Sequence, residues 1–345
     1  MVRRRTTPSK TISINDVARR AGVSITTVSR VINNVATVKY RHKKAVLDAV
    51  KELKYQPSVL AQRLATGKSN VVALVIPRYE GIFYSFYALE LIRGIGTLCA
   101  VLKLDLLLRL TDSKTEANLT SIGGAIFADI IGNRQQLEDA LRQDIPCVVI
   151  NNHIDDRRVS CISIDNVGGA EQAVNYLVSL GHKKIAHITG DLVSQAAAQR
   201  LEGYKRALSK HKLPVDEEFI FKTDYSRGQA RQAAVKLLNM SKAPTAVFVA
   251  SDSMALEVMA VAKEMGEEIP KSLSIVGFDD NPSGLYGFVA LTTVRQPLVK
   301  MGQDAVKQLK ALMDAKERPK VKKVSLATEL VIRESCQPQK ANKHP

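Results

Sequence analysis

Ile25, Thr26 and Arg30 fall within one six-residue stretch, and their side chains suit contact with the edges of nucleic-acid bases. A guanidinium can pair with guanine O6 and N7, a threonine hydroxyl can bond to several bases, and isoleucine can touch a thymine methyl. Thr27, Ser29 and Asn33, interleaved with them, suit phosphate oxygens, which fix register and carry no sequence information. A second group is dispersed along the chain. Asp279 follows the apolar run Ile275-Val276-Gly277-Phe278, Asp252 follows the run 246–250, and Asp191 follows Ile188-Thr189-Gly190. Arg200 opens Arg200-Leu201-Glu202-Gly203-Tyr204, and Tyr225 sits in a loop before a helical segment. A carboxylate and a guanidinium can fork onto adjacent hydroxyls, and an aromatic face can stack on a sugar ring or base. That combination suits a small polyhydroxylated ligand or a nucleoside, although each of these residues alone also fits a surface or loop-capping role.

The first group needs a rigid carrier, and the sequence supplies one. Ile14, Val17, Ala18 and Ala21 recur at helical spacing and are followed by Gly22, where the chain can turn. Ser24 is placed to cap a second helix whose apolar members Val28, Val31 and Ile32 share one face. Ala45, Val46, Ala49, Val50 and Leu53 fit a third. Two helices joined by a tight turn with a third behind is the helix-turn-helix plan, in which the second helix enters the major groove N-terminus first. The charge agrees: residues 1–68 carry 15 basic and 3 acidic side chains, against 35 and 31 over residues 69–345. A head of net +12 on a body of net +4 points to a polyanion partner, nucleic acid before an acidic membrane surface.

The string Ile14-Asn15-Asp16-Val17-Ala18-Arg19-Arg20-Ala21-Gly22-Val23-Ser24-Ile25-Thr26-Thr27-Val28-Ser29-Arg30-Val31-Ile32-Asn33 closely resembles the signature of the lactose/galactose repressor family of bacterial transcription regulators. Further motifs follow in that family's order over nearly the whole chain. They include Gly181-His182-Lys183-Lys184-Ile185, Ser251-Asp252-Ser253-Met254-Ala255, Val276-Gly277-Phe278-Asp279-Asp280 and Leu291-Thr292-Thr293-Val294-Arg295-Gln296-Pro297. The third helix departs from the pattern: relatives start it with Ser, whereas this chain has Lys39-Tyr40-Arg41-His42-Lys43 and lacks the usual N-cap. Between head and body, Pro57 suits a helix start and Ala61, Leu64 and Ala65 are helically spaced, but so short a helix is marginal alone. The resemblance implies that two such hinge helices pair on DNA and that Leu64 wedges into the minor groove.

Beyond residue 70, apolar runs alternate with helical stretches, which predicts parallel sheets covered by helices. Two open sheets fit better than a closed barrel, and ligands in such sheets bind beyond the carboxyl ends of the strands. The resemblance implies an α/β chain with a helix-turn-helix domain at 1–56, a hinge helix and linker at 57–69, and a two-lobed periplasmic-binding-protein-like body at 70–345. Its N-lobe is expected at about 70–162 and 291–322, its C-lobe at about 163–290 and 323–336. The resemblance further implies that Arg200, Asp279 and Tyr225 hold an effector, with Asp252 as a further contact or as a residue ordering its own loop. The loop Arg78-Tyr79-Glu80-Gly81-Ile82-Phe83-Tyr84 is longer and more aromatic than usual, making Tyr84 and Phe83 ligand-lining candidates. Only 12 residues separate Leu110 from Gly123, near the lower limit for a crossover with a helix, so either that helix is cut short or a strand is rearranged.

Enzyme readings find no footing. The sequence has no G-x-G-x-x-G after a strand, no Walker loop, no H-E-x-x-H and no G-x-S-x-G, and its histidines do not pair at metal-ligand spacing. No cofactor and no metal are expected. Cys99, Cys147, Cys161 and Cys336 form no C-x-x-C pair and read as reduced. With no apolar run long enough to span a bilayer and no signal segment, a cytoplasmic, nucleoid-associated protein is expected. The reading is a homodimeric, sequence-specific transcription regulator, most simply a repressor, on a pseudo-palindromic operator, controlled by a sugar or nucleoside. A tail without heptads predicts dimers rather than tetramers. The alternatives are a regulator of the same fold that answers to a protein corepressor or to no effector, a free-standing ligand-binding protein, and an architectural protein without sequence preference.

Overall fold

The computed structural model describes residues 12–32, 37–55, 69–78, 82–112, 119, 121–128, 131–315, 317 and 320–339. The chain divides into two units, residues 1–69 and 70–345.

In the first unit, α1 (Ile14–Ala21), α2 (Ile25–Ile32) and α3 (Tyr40–Glu52) enclose a small core of Val17, Ala18, Val28, Val31, Val46 and Ala49. At the start of α1 the Asp16 carboxylate accepts from the Ser13 amide and hydroxyl, at 2.9 and 2.7 Å. Gly22 ends the helix at φ 65°, a left-handed conformation that costs a glycine little. Ser24 caps α2 by accepting from the Thr27 amide at 3.2 Å. The third helix starts at Lys39 with no side-chain cap and no acid in its first turn. Arg20 and Glu52 pair at 2.7 Å and tie α1 to the end of α3.

The second unit contains two six-stranded sheets. The first runs β2 (Asp105–Thr111), β1 (Val71–Pro77), β3 (Gly124–Ala128), β4 (Cys147–Ile150), β5 (Val159–Ile164), β11 (Lys323–Leu326), with every pair parallel. The second runs β7 (Ile220–Phe221), β6 (Ile185–Ile188), β8 (Ala246–Val249), β9 (Ser274–Asp279), β10 (Thr292–Arg295), β12 (Glu329–Val331), parallel except for β12 at its edge. The inner strands β1, β3, β4, β6 and β8 are almost wholly buried, as continuous apolar runs between helix layers must be. The helices are α4 (Phe86–Val101), α5 (Arg134–Arg142), α6 (Asn166–Ser179), α7 (Gln195–Lys210), α8 (Arg227–Leu238), α9 (Asp252–Glu264) and α10 (Leu298–Asp314). Among the described residues, no helix is long and apolar enough to cross a membrane.

The two sheets share one topology, in which the second strand adds to one side of the first and the remaining parallel strands to the other. The chain passes between them three times, after β5, between β10 and α10, and between β11 and β12. These crossings correct two expected boundaries. Residues 292–295, assigned from sequence to the N-lobe, pair with β9 in the second sheet, and residues 323–326, assigned to the C-lobe, pair with β5 in the first. Nothing in the run Leu291-Thr292-Thr293-Val294 says which of two sheets it joins, and the exposed, alternating Lys323-Val324-Ser325-Leu326 suits an edge of either.

The short crossover leaves its strand in place: β2 pairs with β1 over seven residues in parallel register. Residues 113–118 lie outside the described set, and Leu119 is buried beside Ala73, Val75, Ala125 and Phe127, covering part of that sheet face.

Candidate functional site

On the head, α2 turns Val28 and Val31 inward and leaves Ile25 48 % exposed. Thr26 and Arg30 are likewise exposed, and Thr27 and Ser29 are half-buried. The Thr27 hydroxyl lies 2.9 Å from that of Ser24, so it shares in the cap as well as facing solvent. Ile25, Thr26 and Arg30 therefore form one accessible polar and apolar ridge on a helix fixed from behind. Asn33 and Leu64 lie outside the described residues.

In the body, the expected ligand residues collect at the carboxyl ends of the second sheet. This edge meets the first lobe, because the Gln195 side chain at the start of α7 accepts from the His153 amide at 2.7 Å and donates to the His153 carbonyl at 2.9 Å. His153 belongs to the segment after β4, so the carboxyl ends of both sheets face one another.

Arg200 sits in the second turn of α7, a helix fixed at its start by Ser194, whose hydroxyl accepts from the Ala197 amide at 3.1 Å. Its guanidinium lies over the Phe278 ring, 3.7 Å from the centroid. It donates from Nε to Asn166 Oδ1 at 2.9 Å and from Nη1 to the Ala250 carbonyl at 2.6 Å. A buried cation is tolerable when hydrogen-bonded and stacked in this way. These contacts occupy Nε and one Nη1 hydrogen and fix the direction of the rest.

Asp279 ends β9 at φ 137°, a strained backbone region for a residue with a side chain. Its carboxylate accepts from Gln296 Nε2 and from the Asp252 amide at the start of α9. Enclosure raises its pKa, and the nearby Arg200 charge and these donors offset part of the rise. Asp252 is fully buried, accepting from the Thr293 hydroxyl at 2.6 Å and the Asn281 amide at 2.7 Å. Burial, and then the Asp279 charge, also raise its pKa. Its two oxygens serve β10 and the loop after β9, which is the loop-ordering role. Asp280, next in sequence to Asp279, is held by Arg295 at 2.6 Å and by Arg333.

Tyr225, at φ 68°, lays its ring over Gly190 in the loop after β6, where a methyl group would come within 1.9 Å of the ring. Asp191, beside Gly190, accepts from the Val193 amide at 2.9 Å and so shapes its own loop. Tyr84 lies in a short 3-10 turn after β1 and is 91 % exposed, while Ile82 of the same turn is buried. The structure thus brings Arg200, Asp279 and Asp252 together, adds Tyr225 over Gly190 at the same sheet edge, and leaves Tyr84 exposed.

Three participants escaped the sequence reading. Asn166 and Phe278 hold Arg200, and Gln296 donates to Asp279 while its own Oε1 is buried with no hydrogen-bond partner among the described residues. Phe278 and Gln296 stood inside quoted motifs, but only strand pairing shows that β9 and β10 deliver them to one place. Among the described residues no group of His, Cys, Asp or Glu could hold a metal ion.

Residues 13–58 match the bacterial regulatory proteins of the lacI family, and residues 174–336 match the periplasmic binding protein-like domain. Catabolite control protein A of Priestia megaterium is 33 % identical over 312 residues, 88 % of this chain and 93 % of that protein. Among solved structures, the Lac repressor dimer bound to operator and an anti-inducer superposes with a TM-score of 0.79 at 25 % identity, covering 95 % of this chain and all of the other. A complex of the transcriptional regulator CelR with cellobiose gives 0.72 at 26 % identity, covering 94 % and 99 %.

Proposed function

The chain belongs to the lacI family of bacterial regulatory proteins, a DNA-binding transcription repressor and not an enzyme, and from that premise we propose that it binds a pseudo-palindromic operator as a homodimer under the control of a small polyhydroxylated effector, a sugar or a nucleoside. The observation that carries the effector reading is the relation between Arg200 and Asp279. They are close enough for the guanidinium to lower the carboxylate's pKa, yet they form no ion pair. A guanidinium and a carboxylate held apart at the mouth of a sheet can each take a hydroxyl of the same ligand. Gln296 Oε1, buried and unpartnered among the described residues, offers one more acceptor.

Dimer formation is supported by Leu285, Tyr286 and Phe288, which are 50, 85 and 67 % exposed within one segment of the second lobe. The hinge segment 57–69, with Leu64 as a minor-groove wedge, would couple lobe closure to the heads. An effector shifts that equilibrium only by preferring one lobe arrangement. Such a protein works in the cytoplasm, on the nucleoid.

Two measurements on one preparation test this. Selection from a random duplex pool should return two similar, inverted half-sites; a single unrepeated site would contradict the two-fold dimer. Calorimetry with a panel of sugars and nucleosides should give heat from at least one compound, abolished by Arg200→Ala. Silence across the panel would favour control by a protein partner.

A further inference from the structure

We propose that Asn166 is a positioning residue that aims the Arg200 guanidinium and ties it to the crossing between the lobes, a role that rests on the reading of Arg200 as an effector contact. Asn166 is the first residue of α6, two residues after β5 ends and the chain leaves the first sheet. Its side chain is buried. The Oδ1 accepts from Arg200 Nε at 2.9 Å and the Nδ2 donates to Gln199 Oε1 at 3.1 Å, so one amide grips two successive residues of α7. Capping does not explain it, because the Asp165 carboxylate already caps α6 by accepting from the Gly168 amide at 2.8 Å.

Asn166 stands where two of the three crossings meet. The Asp165 amide donates to the Leu326 carbonyl at 2.9 Å and the Thr328 hydroxyl donates to the Asp165 carbonyl at 3.4 Å, which joins the chain after β5 to the chain between β11 and β12. Gln172, further along α6, donates to the Thr328 carbonyl at 3.4 Å and accepts from the Leu330 amide at 3.2 Å. Gly169 brings α6 against the crossing and the site at once. A methyl group there would lie 2.8 Å from the Thr328 hydroxyl and 3.0 Å from the Phe278 ring, over which Arg200 stacks. Groups packed this closely transmit a displacement. Rotation of one lobe against the other turns the chain at residues 164–166 and so moves the acceptor that sets the aim of Arg200. By reciprocity, a ligand that prefers one aim prefers one lobe angle.

The residue type fits the task. A carboxylate at this position would pair with the guanidinium and neutralise the charge that Asp279 and a ligand hydroxyl draw on. An amide oxygen fixes the same direction and leaves that charge whole. With Nε on Asn166 and Nη1 on the Ala250 carbonyl at 2.6 Å, Nη2 forms no hydrogen bond among the described residues and is the nitrogen left for a ligand oxygen.

Hydrogen exchange followed by proton–nitrogen spectra of the full chain, with no ligand added, tests the link. The Arg200 Nε proton, assigned by its loss in Arg200→Met, should exchange about tenfold faster or more in Asn166→Ala than in the wild type, the worth of one hydrogen bond to a charged group. Asn166→Asp keeps an acceptor and should keep the slow rate. Slow exchange in the alanine variant, or fast exchange in the aspartate variant, would overturn the aiming role. The crossing is read at the Asp165 amide by a double-mutant cycle. Arg200→Met should speed its exchange in the wild-type background and add nothing in the Asn166→Ala background. Equal effects in both backgrounds would show that Asn166 does not carry the link. The Ser274 amide, bonded to the Thr245 carbonyl at 3.1 Å at the far end of β9, reports general loosening. If it speeds by the same factor as the Asp165 amide, Asn166 is a packing residue and no more. Silence of the sugar and nucleoside panel in calorimetry would instead remove the effector reading, while the link between Arg200 and the crossing stands or falls on these rates.

Discussion

Asp279 and His187 show how burial serves different ends in one lobe. A carboxylate whose folded pKa is raised contributes stability that is whole below its unfolded value and is lost as pH rises through the folded one. At neutral pH, Asp279 is therefore kept at the expense of the fold, which suits a ligand contact better than a structural one. Asp279→Asn should leave unfolding midpoints at neutral pH unchanged or higher and weaken effector binding by about 1.5–3 kcal/mol, the usual worth of a hydrogen bond to a charged group. A variant that binds effector normally, or that is markedly less stable, would remove Asp279 from the site. His187 titrates the other way. It is fully buried between the rings of Tyr204 and Phe248, with centroids at 5.1 and 4.7 Å, and its Nδ1 donates to the Phe248 carbonyl at 2.9 Å. Burial holds its pKa down to about 4, against 6.5 for an ordinary histidine. The stability gained by keeping it neutral is complete above about 6.5 and is lost as pH falls toward 4, a difference of about 3 kcal/mol. His187→Phe retains the stack and removes the proton site. Thermal melts should show the wild type losing more stability than the variant over that range, and parallel curves would refute the assignment.

Among the elements, α4 and α10 meet at Gly94. A methyl group there would lie 2.3 Å from the Val299 carbonyl oxygen, a backbone atom that cannot move without shifting α10. Gly94→Ala should therefore destabilise the body by about 1–3 kcal/mol through overpacking, despite alanine's better helix propensity. Denaturant titration checks this, and a gain in stability would mean the helices separate more easily than their packing implies. Its apolar face of Leu298, Met301, Ala305 and Leu309 makes α10 legible as a helix, but nothing in that periodicity says which sheet it covers. Strands β1, β3, β4, β6 and β8, buried on both faces, were legible because their apolar runs are unbroken, whereas β5, equally buried, has Ser160 and Ser163 in its run and was not. Edge strands β7, β11 and β12 were not, being short and half exposed, so hydrogen bonding to a neighbour defines them more than their own side chains do. The same holds for the site. Arg200 and Asp279 could be named from motifs, but that Asp280 turns back to Arg295 and Arg333 depends on pairings more than fifty residues apart in one case.

For the whole molecule, the charge asymmetry between head and body sets what the assembly must achieve. A three-helix head presenting one eight-residue reading helix contacts few bases, and each good bidentate contact discriminates by only about 1–3 kcal/mol. Arg30→Ala should accordingly relax one position in each half-site, and uniform loss over all sequences would make it a phosphate contact instead. In the proposed dimer, selective binding comes from joining two heads, and the body supplies the means if its exposed apolar segment is where subunits meet. Phe288 and Lys263 already stack, with the ammonium 3.2 Å from the ring centroid, so one side of this aromatic is pre-ordered while Tyr286 remains 85 % exposed. Ordering a side chain before association lowers what association must cost. A double substitution, Tyr286→Asp with Phe288→Asp, places carboxylates where an apolar contact is needed and disturbs no buried residue. Sedimentation should show the variant as monomer at concentrations where the wild type is dimer. Affinity for a duplex with two half-sites should fall by about 10²–10⁴, the usual gain from tethered second binding, while affinity for a single half-site stays the same. A dimeric variant would place the interface on another face, and a monomeric one that keeps full affinity for the paired site would show that the heads bind independently.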